Sequence, residues 1–296
     1  MLDLESLLVW VSGLSVEAQL ALVGTAGAGL LAFGKGIALV LNKVRKPFRV
    51  RRITKDNERD IASFVDIYER VIDARSRIDP DEITRWIRGH TQSAGLSHDT
   101  FACKHADGMV GFAQVLFCSR NRIAFISYFG VDESSRLTTL NAALSLTGAI
   151  RAHIRKRCRG VRYVVFEVDD PSEPGIDSSE FAKRKARIRK FRQLARTCKL
   201  STGELDASYI QPEMPADLKT SNECQMRLLV VGADGKILPT SLPKHEFLEL
   251  VRFVYYRVYL PSYYKDDEQL MAMCAEYLQD LLFNLGNRTP QRVAVR

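Results

Sequence analysis

Residues Arg122–Asp170 read RIAFISYFGVDESSRLTTLNAALSLTGAIRAHIRKRCRGVRYVVFEVDD. The opening IAFISYFGVDE is rich in β-branched and aromatic residues and predicts a strand. The following LTTLNAALSLTGAIRAHIRKRC carries apolar residues at helical spacing, and VRYVVFEVDD returns to a strand. A strand that opens directly into a helix presents first-turn N–H groups with no partner inside the helix, which makes a ready anion site. A phosphate-bearing cofactor would dock there.

Working outward, the patterning predicts a soluble mixed α/β or α+β domain from Pro47 onward. Phe48–Ile53 reads as a short strand and Asp56–Ile72 as a helix with Ile61, Phe64, Val65, Tyr68, Val71 and Ile72 on one face. Asp79-Pro80-Asp81-Glu82 is a helix start, with a cap, a proline in the first turn and acids at the positive end. Thr100–Lys104 and Met109–Phe117 are strands joined by the turn residues Ala106-Asp107-Gly108. Beyond the central stretch come a very basic helix over Ser179–Thr197 and strands at Ala207–Gln211 and Gln225–Val231. Two helices close the chain, Glu246–Tyr259 and Asp266–Asn284, broken at Pro261.

Composition sets limits. The chain has 296 residues, 46% of them hydrophobic, with a net charge of +8, enough for one large domain plus an appendage or for two small domains, and suited to an anionic partner. Cys103, Cys118, Cys158, Cys198, Cys224 and Cys274 are scattered without a Cys-x-x-Cys pair. That excludes a disulfide framework and a structural zinc site; no metal is expected. The five histidines show no ligand spacing.

The N-terminus differs from the rest. Leu20–Leu41, LALVGTAGAGLLAFGKGIALVL, contains one charge, Lys35, and as a helix would reach about 33 Å, enough to span a bilayer core. Acids precede it, whereas Lys43, Arg45, Lys46, Arg49, Arg51, Arg52 and Lys55 follow, so the C-terminal bulk is expected on the cytoplasmic side of a single-pass membrane protein. Gly24, Ala28, Ala32 and Gly36 fall at four-residue spacing, a stripe that would let two such helices pack as a homo-oligomer; a plain Gly/Ala-rich anchor fits equally. The polybasic flank suits an anionic membrane surface. Gly29–Gly36, GLLAFGKG, lacks the hydroxyl and the preceding strand of a phosphate-binding P-loop. The expected organisation is a membrane segment in 1–46, a domain over 47–238 and a C-terminal helical hairpin over 239–296.

The element order, with GFAQVLF (Gly111–Phe117), SYFGVDE (Ser127–Glu133), VVFEVDDP (Val164–Pro171), KFRQLAR (Lys190–Arg196) and SYIQP (Ser208–Pro212), resembles the GNAT N-acetyltransferase superfamily over roughly Pro47–Gly235. The resemblance implies an α+β fold, a central mixed sheet flanked by helices. It also implies acetyl-CoA or another acyl-CoA as cofactor and an amine as acceptor. The cofactor cleft would lie between the strand ending at Val131 and the strand starting at Val161, its pantetheine arm paired with Phe129, Gly130 and Val131. The pyrophosphate would sit on Arg136, Leu137, Thr139 and Asn141, where the family's small residues are replaced by Thr139 and Asn141. The family's acid position falls on Phe191, which has no proton to give, leaving Tyr128 and Tyr209 as candidate donors. Glu167 is the candidate general base, since a carboxylate in an apolar strand has a raised pKa; pairing with an arginine of a neighbouring helix is the structural alternative.

Basic residues crowd the end of one helix (Arg151, Arg155, Lys156, Arg157, Arg159) and surround the next (Lys183, Arg184, Lys185, Arg187, Arg189, Lys190, Arg192). No aromatic interleaving accompanies them, which counts against nucleic acid. Three functions stay open: a membrane-anchored acyltransferase, a non-catalytic relative that senses CoA or a nucleotide, and a basic membrane-associated interaction module.

Overall fold

The computed structural model describes residues 48–72, 79–89, 96–106, 108–118, 120–133, 136–157, 160–212, 224–233, 236–260 and 268–296. The apolar segment 20–41 with its small-residue stripe, and the side chains of Arg136 and Leu137, lie outside the described residues. Among those described, no helix is long and apolar enough to cross a membrane.

Local chemistry places the elements. β1 (Arg49–Arg52) leads to α1 (Glu58–Val71), whose first turn is capped by Asn57 accepting from the Asp60 N–H, and to α2 (Pro80–Ile87), capped by Asp79 with Pro80 next in line. β2 (Leu96–His105), β3 (Gly108–Cys118) and β4 (Ile123–Val131) follow. The β2–β3 turn is closed by Ala106 in the left-handed region, φ 54°. α3 (Arg136–Arg157) connects β4 to β5 (Tyr163–Asp169). α4 (Ser178–Thr197) is capped by Asp177, and β6 (Thr202–Gln211) and β7 (Cys224–Gly232) complete the sheet. The chain ends with β8 (Ser241–Pro243), α5 (Lys244–Phe253) running on as a π-helical turn Val254–Tyr259, α6 (Glu268–Arg288) and β9 (Arg292–Ala294).

Seven strands pair in the order β1-β2-β3-β4-β5-β7-β6, every neighbouring pair antiparallel except β4 and β5. The fold is therefore mixed α+β with a mostly antiparallel central sheet flanked by helices. α3 and α4 cover one face, where Leu146, Ile150 and Ile154 pack on Ala113, Val115 and Ala124. The opposite face carries two apolar clusters. α1 and α2 seat Phe64, Tyr68, Ile83 and Trp86 on Ala102 and Phe112. α5, its π-helical turn and α6 seat Phe247, Leu250, Tyr255 and Leu278 on Leu116, Phe125 and Val165. Burying each such side chain stabilises the fold by roughly 1.5–3 kcal/mol relative to exposure.

Phe48–Arg296 is one compact unit, so the C-terminal helices share its core instead of standing apart. β9 ties them down further: it pairs with β8, and the Leu205↔Val295 bridge lays the chain end along β6. Two strands are longer than the pattern predicts. β2 begins at Leu96 because its polar Asp99 is satisfied by Arg52 and His153, at 2.7 and 2.8 Å, and so is tolerated in the sheet. β6 begins at Thr202 because pairing with Val231 and Val230 outweighs weak local propensity at Thr202 and Gly203.

Gly130 sits opposite Phe112, and a Cβ there would run into the fully buried Phe112 ring. Gly130→Ala should therefore cost about 1–3 kcal/mol, read as a lowered urea midpoint; an unchanged midpoint would mean the ring has room to give.

Candidate functional site

The sheet comes apart at its parallel pair. β4 and β5 are paired at Ile123↔Tyr163, Ala124↔Val164 and Phe125↔Val165 and no further. The cause lies in β4. Its register with β3 shifts between Gln114↔Tyr128 and Val115↔Ile126, which leaves Ser127 as an extra residue, a β-bulge. A bulge bends its strand and increases the local twist. β4 stays with β3 out to Val131, while β5 stays with β7 out to Asp169↔Met226. The two strands therefore diverge, and a split opens in the sheet where α3 begins at Arg136. Thr139 closes this corner by donating its hydroxyl to the Asp132 carbonyl at 3.0 Å.

Glu167 lies at the split. Its carboxylate accepts from the Tyr209 hydroxyl through Oε1 and from the Tyr259 hydroxyl through Oε2 at 2.7 Å. Gln211 Nε2 donates to the Tyr259 oxygen at 2.6 Å, so the phenol is oriented with its proton toward the carboxylate. Burial raises the Glu167 pKa to about 7, with the Asp169 charge adding to it and the two tyrosine hydrogen bonds opposing it. Burial also pushes the Tyr209 phenol well above its ordinary value, so it remains a donor.

Tyr259 arrives by way of the π-helical turn. Such turns shift the register of a helix face and concentrate at functional sites. Here the turn carries Tyr255, whose hydroxyl donates to the Ile210 carbonyl at 2.6 Å, and Tyr259, which reaches Glu167. One C-terminal segment thus grips β6 and β5 together.

Of the residues singled out in the sequence, Glu167 and Tyr209 are in direct contact. The arginine pairing open to Glu167 is not what forms: Arg187 pairs with Asp169, Arg184 with Glu173 and Arg192 with Glu204. Tyr128 packs edge-on against Tyr68, ring centroids 5.1 Å apart. Phe129 and Val131 face the α3 side of the sheet, Gly130 meets Phe112 and Asn141 is half-buried on α3. Phe191 packs on Phe166 with centroids 3.9 Å apart and serves as core. Sequence reasoning missed Tyr259 and Gln211. Gln211 stands in SYIQP and Tyr259 ends the helix predicted over Glu246–Tyr259, but no periodicity says which phenol reaches a distant strand. Among the described residues no cluster of three His, Cys, Asp or Glu side chains could hold a metal ion.

No family model matches this chain, and no curated protein matches its sequence. Solved structures are similar to it at low identity. A Bacteroides thetaiotaomicron protein described as a GNAT-family acetyltransferase matches over 71% of this chain and 97% of its own, with 15% identity and a TM-score of 0.44. Diaminobutyrate acetyltransferase of Paenibacillus lautus, in complex with L-2,4-diaminobutyric acid and coenzyme A, matches over 66% and 99%, with 20% identity and a TM-score of 0.43. A Salmonella typhimurium protein described as an acetyltransferase, with its cofactor acetyl-CoA, matches over 65% and 97%, with 16% identity and a TM-score of 0.40. At these values the likeness assigns no activity to this chain.

Two consequences can be measured. A carboxyl whose pKa is raised on folding, from 4.5 to about 7, binds more protons folded than unfolded, so its contribution to stability is complete below pH 4.5 and lost as pH rises through 7. Glu167→Gln should match the wild type near pH 4.5 and exceed it at pH 8.5 by on the order of 2–3 kcal/mol in urea melts; equal stability at both would show the carboxylate is not confined. Tyr259→Phe removes one hydrogen bond that favours the charged form, so the Glu167 titration followed by carboxyl NMR should move up by about one unit. A downward move would contradict the assigned contact.

Proposed function

We propose that the domain is an N-acyltransferase that moves an acetyl or other acyl group from acyl-CoA to an amine by direct transfer. The observation that carries this reading is Glu167, a carboxylate at the split of the sheet that titrates near neutrality between two phenol hydroxyls. A base works best when its pKa lies near the working pH.

The surroundings fit acyl-CoA. Past Phe125, β4 has a strand on its β3 side only, so the backbone around Phe129, Gly130 and Val131 can pair with an amide-bearing arm. The first-turn N–H groups of α3, with the Arg136 charge, suit a pyrophosphate. Thr139 has its hydroxyl committed to Asp132, so in this reading Thr139, Leu137 and Asn141 contribute backbone and shape more than donors. Acyl-CoA would supply a thioester, an acyl group with CoA thiol as the leaving group. The chain supplies the rest. Glu167 takes the proton from the amine as the N–C bond forms and the C–S bond breaks. Tyr209 stays protonated and holds the carboxylate. Tyr128, on the same face, is the proton donor for the leaving thiolate.

The segment 20–41, with the basic residues after it, anchors this domain at an anionic cytoplasmic membrane surface, and its Gly24/Ala28/Ala32/Gly36 stripe pairs it with a second copy. One observation favours a second reading, a CoA sensor without turnover: Phe191 fills the position where the GNAT resemblance expects a tyrosine acid, and it is packed as core.

Thermal melts of the full chain with acetyl-CoA test both. A ligand at 100 times its Kd adds about 2.7 kcal/mol, and Arg136→Ala should weaken that shift. No shift overturns the acyltransferase and the sensor alike; a shift without acetylation of any amine in a screen selects the sensor.

A further inference from the structure

Between the two apolar clusters on one face of the sheet runs a polar row. On β2, His98 and Thr100 stand between Leu96 of one cluster and Ala102 of the other, Thr100 on the Ala102 side. The partner of Thr100 on β3 is Gln114, between Leu116 and Phe112, and the partner of Gln114 on β4 is Tyr128. Counting on from Phe125↔Val165, the next residues on this face are Tyr128 and, across the split, Glu167. Four strands thus carry a polar residue at the level where the sheet divides.

Gln114 is the anomaly. It is 0% exposed, yet neither its Oε1 nor its Nε2 has a hydrogen-bond partner, and the Ser127 hydroxyl in the adjacent bulge is likewise buried without one. Buried polar groups are almost always paired, because an unpaired one forfeits its hydration for nothing. Leucine has nearly the volume of glutamine and would serve packing better at this position. A primary amide with both ends open, beside an open hydroxyl and in a row that runs through Tyr128 to Glu167, is a half-made hydrogen-bond network.

We propose that Gln114 and Ser127 complete this network with the acceptor substrate, binding a neutral polar group next to its amine while Glu167 faces the amine itself. This rests on the acyltransferase reading. The amide presents two donors and an acceptor, the hydroxyl one of each, and the row holds a carboxylate and no cation. The acceptor that satisfies it is a primary amine bearing an amide or hydroxyl group within a few bonds of the nitrogen. A carboxylate or phosphate there would face Glu167 with no compensating charge. Gln114 is a specificity residue, distinct from the groups that move protons.

The test uses the full chain with acetyl-CoA and four probes: glycinamide, ethanolamine, glycine and phosphoethanolamine. Wild type should acetylate the first two at least tenfold more efficiently, in kcat/KM, than the last two. Gln114→Leu should raise KM for glycinamide tenfold or more, leave KM for acetyl-CoA unchanged, and raise Tm by roughly 2–4 °C, since an open amide is replaced by an apolar side chain of similar size. A lowered Tm with unchanged glycinamide KM makes Gln114 purely structural and overturns the inference. So does equal use of all four probes, or use of none. If Gln114→Leu does not fold, Ser127→Ala carries the same KM test, and an unchanged value overturns it. Acetyl-CoA melts separate the two levels: if wild type gives no shift, the acyltransferase reading itself has failed, whereas a normal shift with indiscriminate acceptor use defeats this inference alone.

Discussion

Three residue pairs hold β4 to β5, and much of the candidate site follows from there being no more. One extra residue, Ser127, interrupts the register of β4 on β3, while β5 stays paired with β7 out to Asp169. A sheet that continued its ladder here would bury both edges and leave no place for a ligand. Because the ladder stops, β4 past Phe125 has a strand on its β3 side only, and Glu167 lies beyond the last β5 residue paired with β4. The bulge costs a little sheet stability locally, and the long β3–β4 ladder tolerates that loss.

An opening in a sheet exposes polar backbone and demands cover. α3 and α4 supply it on one face, and on the other the work is divided between α1–α2 and the C-terminal helices. The seam between those two covers is polar from Thr100 to Glu167. Glu167 there would be a liability without hydroxyls from two other elements. Tyr209 comes from β6 and Tyr259 from the π-helical turn, so the C-terminal segment that looked like an appendage completes the site. The strong cation bias of α4 has a plainer role: Arg184, Arg187 and Arg192 each pair with an acid on the β5–β6 side of the domain.

Much of the order of elements could be read from the chain because it depends on local periodicity. Asn57, Asp79 and Asp177 are caps whose side chains act within a few residues, and the mostly apolar run Gly111–Phe117 marks a strand buried on both faces. The ends of β2 and β6 could not be read, because Asp99 is admitted to a strand only by Arg52 and His153, which are distant in sequence. The same distinction applies at the site. Glu167 was visible as a charge in an apolar strand, whereas the arginine partner considered for it was wrong in kind, since nothing local says that two phenols lie above that strand.

What the sequence determined by itself is what short-range chemistry decides: helix starts, apolar faces, the strand–helix–strand unit over Arg122–Asp170 and an acid, Glu167, set among apolar residues of its second strand. What only the tertiary structure decided is which groups meet. The Ser127 bulge, the early end of the β4–β5 ladder, the Tyr209–Glu167–Tyr259 contact and the open Gln114 amide all arise between residues far apart in the chain. Their energies depend on burial and on pairing across strands, and neither quantity has a value until the sheet has closed around them.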